Sequence, residues 1–415
     1  MRGTFKPLRD RHFRPLVVAF SVNEIGDWMG SVALAILVFD QTGSAMATAG
    51  LFMATQFLPA FLAPPLVARL ELLRSGRALP WVYASEAAVF ALLALSVSEF
   101  SLVVVFALAA LDGALASAAR ALSRAMAAAM LAPRGLLREG NALLNLAFTG
   151  GAAAGPALAG VVVAVWGAQA ALIGDAVSFL CVAILVARLP GLSLASAEAS
   201  RWSERLRAGL AYVRGRVELR RLIGAQAAAI VFFTLVLPIE VVFAIETLDA
   251  GDAGYGALLA AWGVGMVLGA VVFAALRARS LRSLLAVSTA VIGIAYLTTA
   301  IAPTLAVACA AAVVGGAGNG VQWVALVSAV QELTEDAYQA RVVSVLESAA
   351  SAAPGIGFLA GGAIALAFGP RMSFAVAGFG VLLVVAVAGL TLRRAKLGER
   401  PSPPRIAPEA LHSQP

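Results

Sequence analysis

Long apolar runs alternate along this chain with short basic segments, and the positive charge keeps to every second segment. Crossing a hydrocarbon core about 30 Å thick takes about 20 apolar residues. Twelve such runs are readable, near 16–39, 46–68, 79–98, 101–119, 142–165, 168–187, 222–244, 253–276, 283–301, 304–330, 342–366 and 371–392. Of the 30 Lys and Arg residues, 29 fall before the first run or after an even-numbered one, and only Arg371 falls on the other side. Cytoplasmic loops carry such an excess, so one missed or invented span would put the later clusters on the wrong face. The expectation is an all-α integral membrane protein with twelve transmembrane helices, multi-pass in the inner or plasma membrane, with both termini cytoplasmic.

Composition removes the competing classes. A chain that is 61% apolar and 13% charged, with mean hydropathy +0.91, is no ordinary soluble domain. Its net charge of +7 reads as topology signal and attraction to an anionic lipid bilayer, with no nucleic acid as partner. The only lysines are Lys6 and Lys396, and neither follows a glycine, so a GxxxxGK[ST] phosphate loop is missing. His12 and His412 lie in the terminal tails, and Cys181 and Cys309 stand alone within spans, so no metal and no cofactor are expected. A basic start before an apolar run imitates a signal peptide, but Asn23, Glu24 and Asp27 inside the run mark it as the first helix.

The runs divide into a segment 1–15, a six-helix bundle 16–188, a polar linker 189–221, a second bundle 222–392 and a Pro-rich tail 393–415 expected to be disordered. At an offset of 202 residues Gly113 meets Gly315, Gly155 meets Gly357, Gly160 meets Gly362 and Gly167 meets Gly369. Four glycines in one register point to pseudo-symmetric halves related by an axis along the membrane normal. In the linker, Trp202, Leu206, Leu210, Val213 and Val217 recur at helical spacing against arginines, an amphipathic helix lying on the inner leaflet or under the bundle.

The string TGGAAAGPALAG (149–160) places Gly151, Gly155, Pro156 and Gly160 in a GxxxGPxxxG arrangement, which lets helices approach closely and bends the rod. With GDAVSFL (174–180), YGALLAAWGVGMVLGAVVF (255–273), VGGAGNGVQ (314–322) and ARVVSVLESAASAAPGIGFLAGG (340–362), it resembles the major facilitator superfamily, and within it the drug and siderophore exporter branch described as transmembrane secretion effectors. The resemblance runs from about Phe13 to Leu392. It implies transport by alternating access, a monomer, and an antiporter-type hinge at Gly151, Gly155, Pro156 and Gly160 of the fifth run. The loop after the second run departs from the superfamily's GxxxDRxGR: Arg74, Gly76 and Arg77 are present, Leu73 takes the acidic slot, and Glu71 is the substitute acidic partner.

Seven carboxylates fall inside spans: Glu24, Asp27, Glu86, Asp112, Asp175, Glu240 and Glu347. An ionised group near mid-bilayer costs at least about 2.5 kcal/mol, so these residues should face the bundle interior or a wet cavity. Glu24 and Asp27 share a helical face near the midplane, and Asp112 is also central. These three are the proton-coupling candidates, Asp27 first. Asn23, Ser31, Gln56, Trp262, Asn319, Gln322 and Trp323 are candidates for the substrate cavity. Glu71, Arg74, Arg77, Arg341 and Glu347 are candidates for a cytoplasmic gate. Glu86 and Glu240 also suit gate contacts with arginines, and Asp175 serves equally as a scaffold hydrogen bond.

The leading expectation is a proton-coupled exporter of a hydrophobic or amphiphilic small molecule. A lipid flippase or small-solute importer on the same fold, and a receptor or scaffold that has lost transport, are the alternatives. No convergent nucleophile, base or metal set supports an enzyme.

Overall fold

A computed structural model describes residues 6–72, 78–189, 202–276, 278–335 and 338–392. In chain order the helices are α1 (Phe13–Thr42), α2 (Ala45–Phe52), α3 (Pro59–Leu72), α4 (Ala78–Leu95), α5 (Leu102–Leu131), α6 (Leu137–Ala187), α7 (Trp202–Gly215), α8 (Val217–Thr234), α9 (Glu240–Val242), α10 (Gly251–Ala275), α11 (Leu281–Ala300), α12 (Leu305–Glu332), α13 (Gln339–Phe368) and α14 (Pro370–Leu392). No strand occurs among the described residues. Large apolar side chains such as Val103, Trp166, Leu366 and Phe379 stand exposed on the outside. A water-soluble protein would not tolerate so extensive an apolar surface.

Ten helices of the described residues are long and apolar enough to cross a membrane. Two departures separate that number from twelve expected runs. The 51-residue α6 holds two of them, divided at Gly167, whose φ of 81° and ψ of 166° break the helix. The run 222–244 is interrupted: α8 stops at Thr234, and the chain turns through Leu235–Ile239 before α9 and a π-helical turn, Phe243–Thr247, resume. Pro238 sits in that interruption and has no amide hydrogen with which to continue a helix. A second π-helical turn, Met53–Phe57, joins α2 to α3 ahead of Pro59.

The glycine register identifies the two halves as pseudo-symmetric at the level of contacts. Gly113 on α5 lies against the Thr55 carbonyl of the second span, while Gly315 on α12 lies against Trp262 of α10. A Cβ on Gly155 would stand 2.6 Å from the Trp28 Cβ on α1, and one on Gly357 would stand 2.5 Å from the Val231 carbonyl on α8. Gly160 meets Gly256 of α10, and Gly362 meets Ala45 and Ala49 of α2. The last two contacts cross between halves. Gly369, between α13 and α14, repeats the Gly167 conformation with φ 85° and ψ 164°, a region open essentially only to glycine.

The inter-half seam is tight at the end of the bundle away from the basic segments. There Thr48 Oγ1 donates to the Pro238 carbonyl at 2.8 Å, and Phe52 packs on Phe358 with ring centroids 5.6 Å apart. Arg371, the outlying positive charge, donates to the Ala300 and Ala302 carbonyls at 2.8 and 2.9 Å and stacks on Phe243. It thereby closes the C-terminal end of α11, where cations are favoured.

At the opposite end α7 lies under the second half. Val213 and Leu210 join the apolar cluster of Leu219, Val342 and Val345, and Gly209 seats on the Arg341 carbonyl. Arg216 pairs with Glu335, and Tyr212 stacks on Tyr338 at 4.3 Å. Of the two positions considered for the amphipathic linker, α7 takes the one against the bundle. The tail 393–415 lies outside the described residues.

Candidate functional site

The first half carries an acidic cluster around one arginine. On α1, Asn23, Glu24 and Asp27 share a face; Asn23 Nδ2 donates to Asp27 Oδ2 at 3.1 Å. Arg120 of α5 donates from Nη1 to the same Asp27 oxygen at 2.8 Å, and that nitrogen lies 4.0 Å from Glu24 Oε2. Glu24 is 1% exposed, and neither of its oxygens has a hydrogen-bond partner among the described residues. Glu86 on α4 and Asp175 on the second arm of α6 are fully buried nearby, and Asp112 lies two turns along α5 from Arg120. Among the described residues both Glu86 oxygens, Asp112 Oδ1 and Asp175 Oδ2 have no hydrogen-bond partner. Gly30 makes room for the last: a Cβ there would lie 2.6 Å from Asp175 Oδ2.

Arg120 corrects the sequence reading, which ended the fourth span at 119 and counted Arg120 among loop charges. The helix runs on to Leu131 because 114–131 contains no glycine or proline. A Gly or Pro is the usual signal for stopping. The continuous Ala-rich stretch was the overlooked sign that Arg120 lies on the same long helix as Asp112.

The 202-residue register gives this cluster a neutral counterpart. Glu24 corresponds to Gln226 and Arg120 to Gln322, and Gln322 Nε2 donates to Gln226 Oε1 at 2.5 Å. Both glutamines are buried. The same helix pair thus holds an ionic contact in one half and an amide contact in the other. Gln322, expected in the substrate cavity, instead faces a separate cavity within the second half, bounded by Gln226, Arg282 and Thr289.

The central cavity, of about 300 Å³, lies between the halves and is lined by Trp28 of α1, Phe148 and Pro156 of α6, Phe233 of α8, Glu240, Trp262 and Met266 of α10, Tyr296 of α11 and Asn319 of α12, among others. Trp262 stacks on Tyr296 with centroids 5.5 Å apart and planes 11° from parallel. The GxxxGPxxxG segment backs this cavity. A Cβ on Gly151 would lie 2.9 Å from the Glu24 backbone, Gly155 seats Trp28, Pro156 faces the lining, and Gly160 reaches α10.

Of the predicted cavity residues, Trp262 and Asn319 meet there and the others do not. Trp323 is 44% exposed, one turn along α12 from Asn319 on the same helical face, and is not among the residues lining the cavity. Gln56 is exposed on the π-helical turn, Ser31 is half-buried one turn beyond Asp27, and Asn23 belongs to the acidic cluster. Glu86 makes no arginine gate, being sealed in the first half; Glu240 makes none either, because the break at Pro238 returns it to the cavity wall. Among gate candidates, Arg341 stacks on Tyr338 at 5.1 Å and Glu347 is exposed toward Arg124 of the other half. Arg74, Arg77 and the Glu71 side chain lie outside the described residues. No group of His, Cys, Asp and Glu among the described residues could hold a metal ion.

The sequence matches the transmembrane secretion effector family over residues 2–411. The chain belongs to that family. Solved structures place its fold among the major facilitator transporters. A bacterial homologue of the human lysosomal transporter Spinster, inward-facing and occupied, is 14% identical, with TM-score 0.73 over 96% of this chain and 99% of that one. A nucleoside transporter is 11% identical, with TM-score 0.73 over 92% and 100%, and a D-xylose–proton symporter is 14% identical, with TM-score 0.66 over 94% and 98%. No curated protein matches the chain in sequence at significant similarity. This secretion effector family member is therefore a multi-pass membrane transporter that takes a small-molecule substrate.

Proposed function

We propose that the transporter is a proton-coupled exporter, monomeric, with both termini in the cytoplasm, moving a hydrophobic or amphiphilic molecule through the central cavity by alternating access. The observation that carries this reading is a charge imbalance. Glu24, Asp27, Glu86 and Asp112 gather around Arg120, Asp175 lies beside Asp27, and Arg120 is the one arginine in a salt bridge with any of them among the described residues. Buried charge without a partner is costly, and bound protons relieve the excess. Asp27 is the exchange point because it is the member held directly by Arg120: a proton on Asp27 weakens that bond, and its departure restores it.

Motion has a matching basis. The seam at Thr48–Pro238 and Gly160–Gly256 shuts the end assigned to the outside, while the GxxxGPxxxG segment joins the acidic cluster to the cavity through α1. A change at Asp27 is thereby transmitted to Trp28 and Gly155. The two bundles, 16–188 and 222–392, are the bodies that rock.

The test uses proteoliposomes holding the purified full chain and a pH-sensitive dye, with a panel of cationic, neutral and anionic amphiphiles. An imposed pH gradient should drive uphill movement of at least one, with proton flux that stops when a protonophore collapses the gradient. Transport that ignores the gradient, or that requires ATP, overturns the reading.

A further inference from the structure

Glu240 is an isolated carboxyl group in an aromatic chamber. It is 7% exposed, its Oε2 is buried without a hydrogen-bond partner, and its carboxyl group enters no ion pair among the described residues. Among the residues lining the central cavity it is the only one with a formal charge, and the rest of the wall is apolar except for Asn319 and Tyr296. The register gives it no equivalent, since the matching position in the first half is Val38. The acidic cluster has Arg120, whereas Glu240 faces open space.

The wall around it is built of ring faces. Trp28, Phe148, Phe233, Trp262 and Tyr296 contribute, with Tyr296 stacked on Trp262 and edge-on to Phe233 at 6.4 Å. Aromatic faces attract cations, most strongly where water is excluded. An unpaired carboxyl group buried here favours its neutral form, and a cation is the ligand that compensates it as a carboxylate, whereas an anion meets a like charge whenever it ionises. Hard metal ions are poorly served, because they demand six or more oxygens and no metal-holding group exists among the described residues. The volume of about 300 Å³ lies at the small end of ligand pockets.

Resting on the reading of this cavity as the transport site, we propose that its substrate is a monocationic aromatic amine, protonated or quaternary, whose charge sits against Glu240 and whose ring lies among Trp28, Trp262 and Tyr296. One carboxylate sets the charge, the ring faces set the shape, and Asn319 offers an amide to any polar substituent.

Equilibrium binding to the full chain in lipid nanodiscs tests it, with radiolabelled phenyltrimethylammonium as probe. Its uncharged carbon isostere tert-butylbenzene and the anion benzenesulfonate serve as competitors. The cation should bind about tenfold or more tightly than the isostere, and the sulfonate should not compete. Glu240→Gln should lower affinity for the cation about tenfold or more and leave the isostere unchanged, whereas Trp262→Leu should weaken both. Equal binding of cation and isostere by the unaltered protein, or less than a twofold change in cation affinity for a monodisperse Glu240→Gln, overturns the proposal. If that variant aggregates, the comparison of probes on the unaltered protein decides alone. Because no gradient is present, failure here leaves proton coupling standing, and failure of gradient-driven transport leaves this binding result standing.

Discussion

Asp27 and Trp28 are neighbours in sequence but face different compartments: the carboxylate binds Arg120 at 2.8 Å inside the first half, and the indole lines the cavity between halves. Consecutive helical residues point about 100° apart, so a single turn of α1 is wall to both. A shift of α1 at one residue moves the other. Gly155, seated on the Trp28 Cβ, carries the same movement to α6.

Asp27→Asn copies a permanently neutral residue. Substrate should still bind, but accumulation against a gradient should fall to background, leaving downhill exchange. Glu24→Gln should shift the pH optimum more than it lowers the rate. Uphill transport measured across pH for both variants decides this; full uphill transport by Asp27→Asn moves the coupling role elsewhere, with Asp112 next.

Arg120→Gln strands the carboxylates it holds. Losing one partner of a fully buried pair costs about 3–5 kcal/mol. Arg120 is 31% exposed, so about 1–3 kcal/mol is expected. Combining Arg120→Gln with Asp27→Asn should recover part of the loss. Thermal unfolding of the two single variants and the double gives the coupling, expected at about 0.5–3 kcal/mol; strict additivity would deny that the pair matters.

Much of this was legible because it depends on linear pattern. The charge alternation located the runs, and the 202-residue glycine register identified the repeat. What a sequence does not carry is which break in a helix is real. The alanines of α5 let it continue past 119 and hid Arg120, while Pro238 cut the seventh run and moved Glu240 from an outer gate to the cavity. Tryptophans carry no mark of the cavity wall either, so Trp262 and Trp323 look alike in sequence, yet only Trp262 is among the lining residues.

Gly155→Leu drives a side chain into the Trp28 Cβ and the Ile25 carbonyl, 2.6 and 2.7 Å from its own Cβ. Membrane insertion should persist while transport stops. Gly160→Leu instead wedges the seam against Gly256, so a disulfide engineered between residues 48 and 238 should form less readily in that variant. Normal transport by Gly155→Leu would deny the hinge.

Gly167→Ala and Gly369→Ala should be matched lesions. Nothing stands within 4 Å of a Cβ at either position, so the cost is backbone strain alone, about 1–3 kcal/mol each. Thermal midpoints should fall by similar amounts; a large inequality would deny that the two turns are equivalent.

Asp10 caps α1 by accepting from the His12 and Phe13 amides at 2.8 and 3.0 Å and pairs with Arg134. Partial burial pushes its carboxyl up, but those amides and the guanidinium prevail and hold it below the usual value of 3.8. Its contribution is therefore fully present above about pH 4 and disappears as pH falls through the depressed value. Asp10→Asn keeps the accepting oxygen and loses the ion pair, so it should cost about 0.2–1 kcal/mol at neutral pH, and its thermal midpoint should converge on that of the unaltered protein in acid.

The exchange of partners at the seam, Gly160 onto α10 and Gly362 onto α2, describes an interface that each half could make with a copy of itself. A single six-helix ancestor bearing both surfaces would assemble as a two-fold dimer, every residue serving twice. Fusion of two genes ends that obligation. One half now carries an acid and a guanidinium at Glu24 and Arg120, the other two amides at Gln226 and Gln322, so one framework holds two separately evolvable trades.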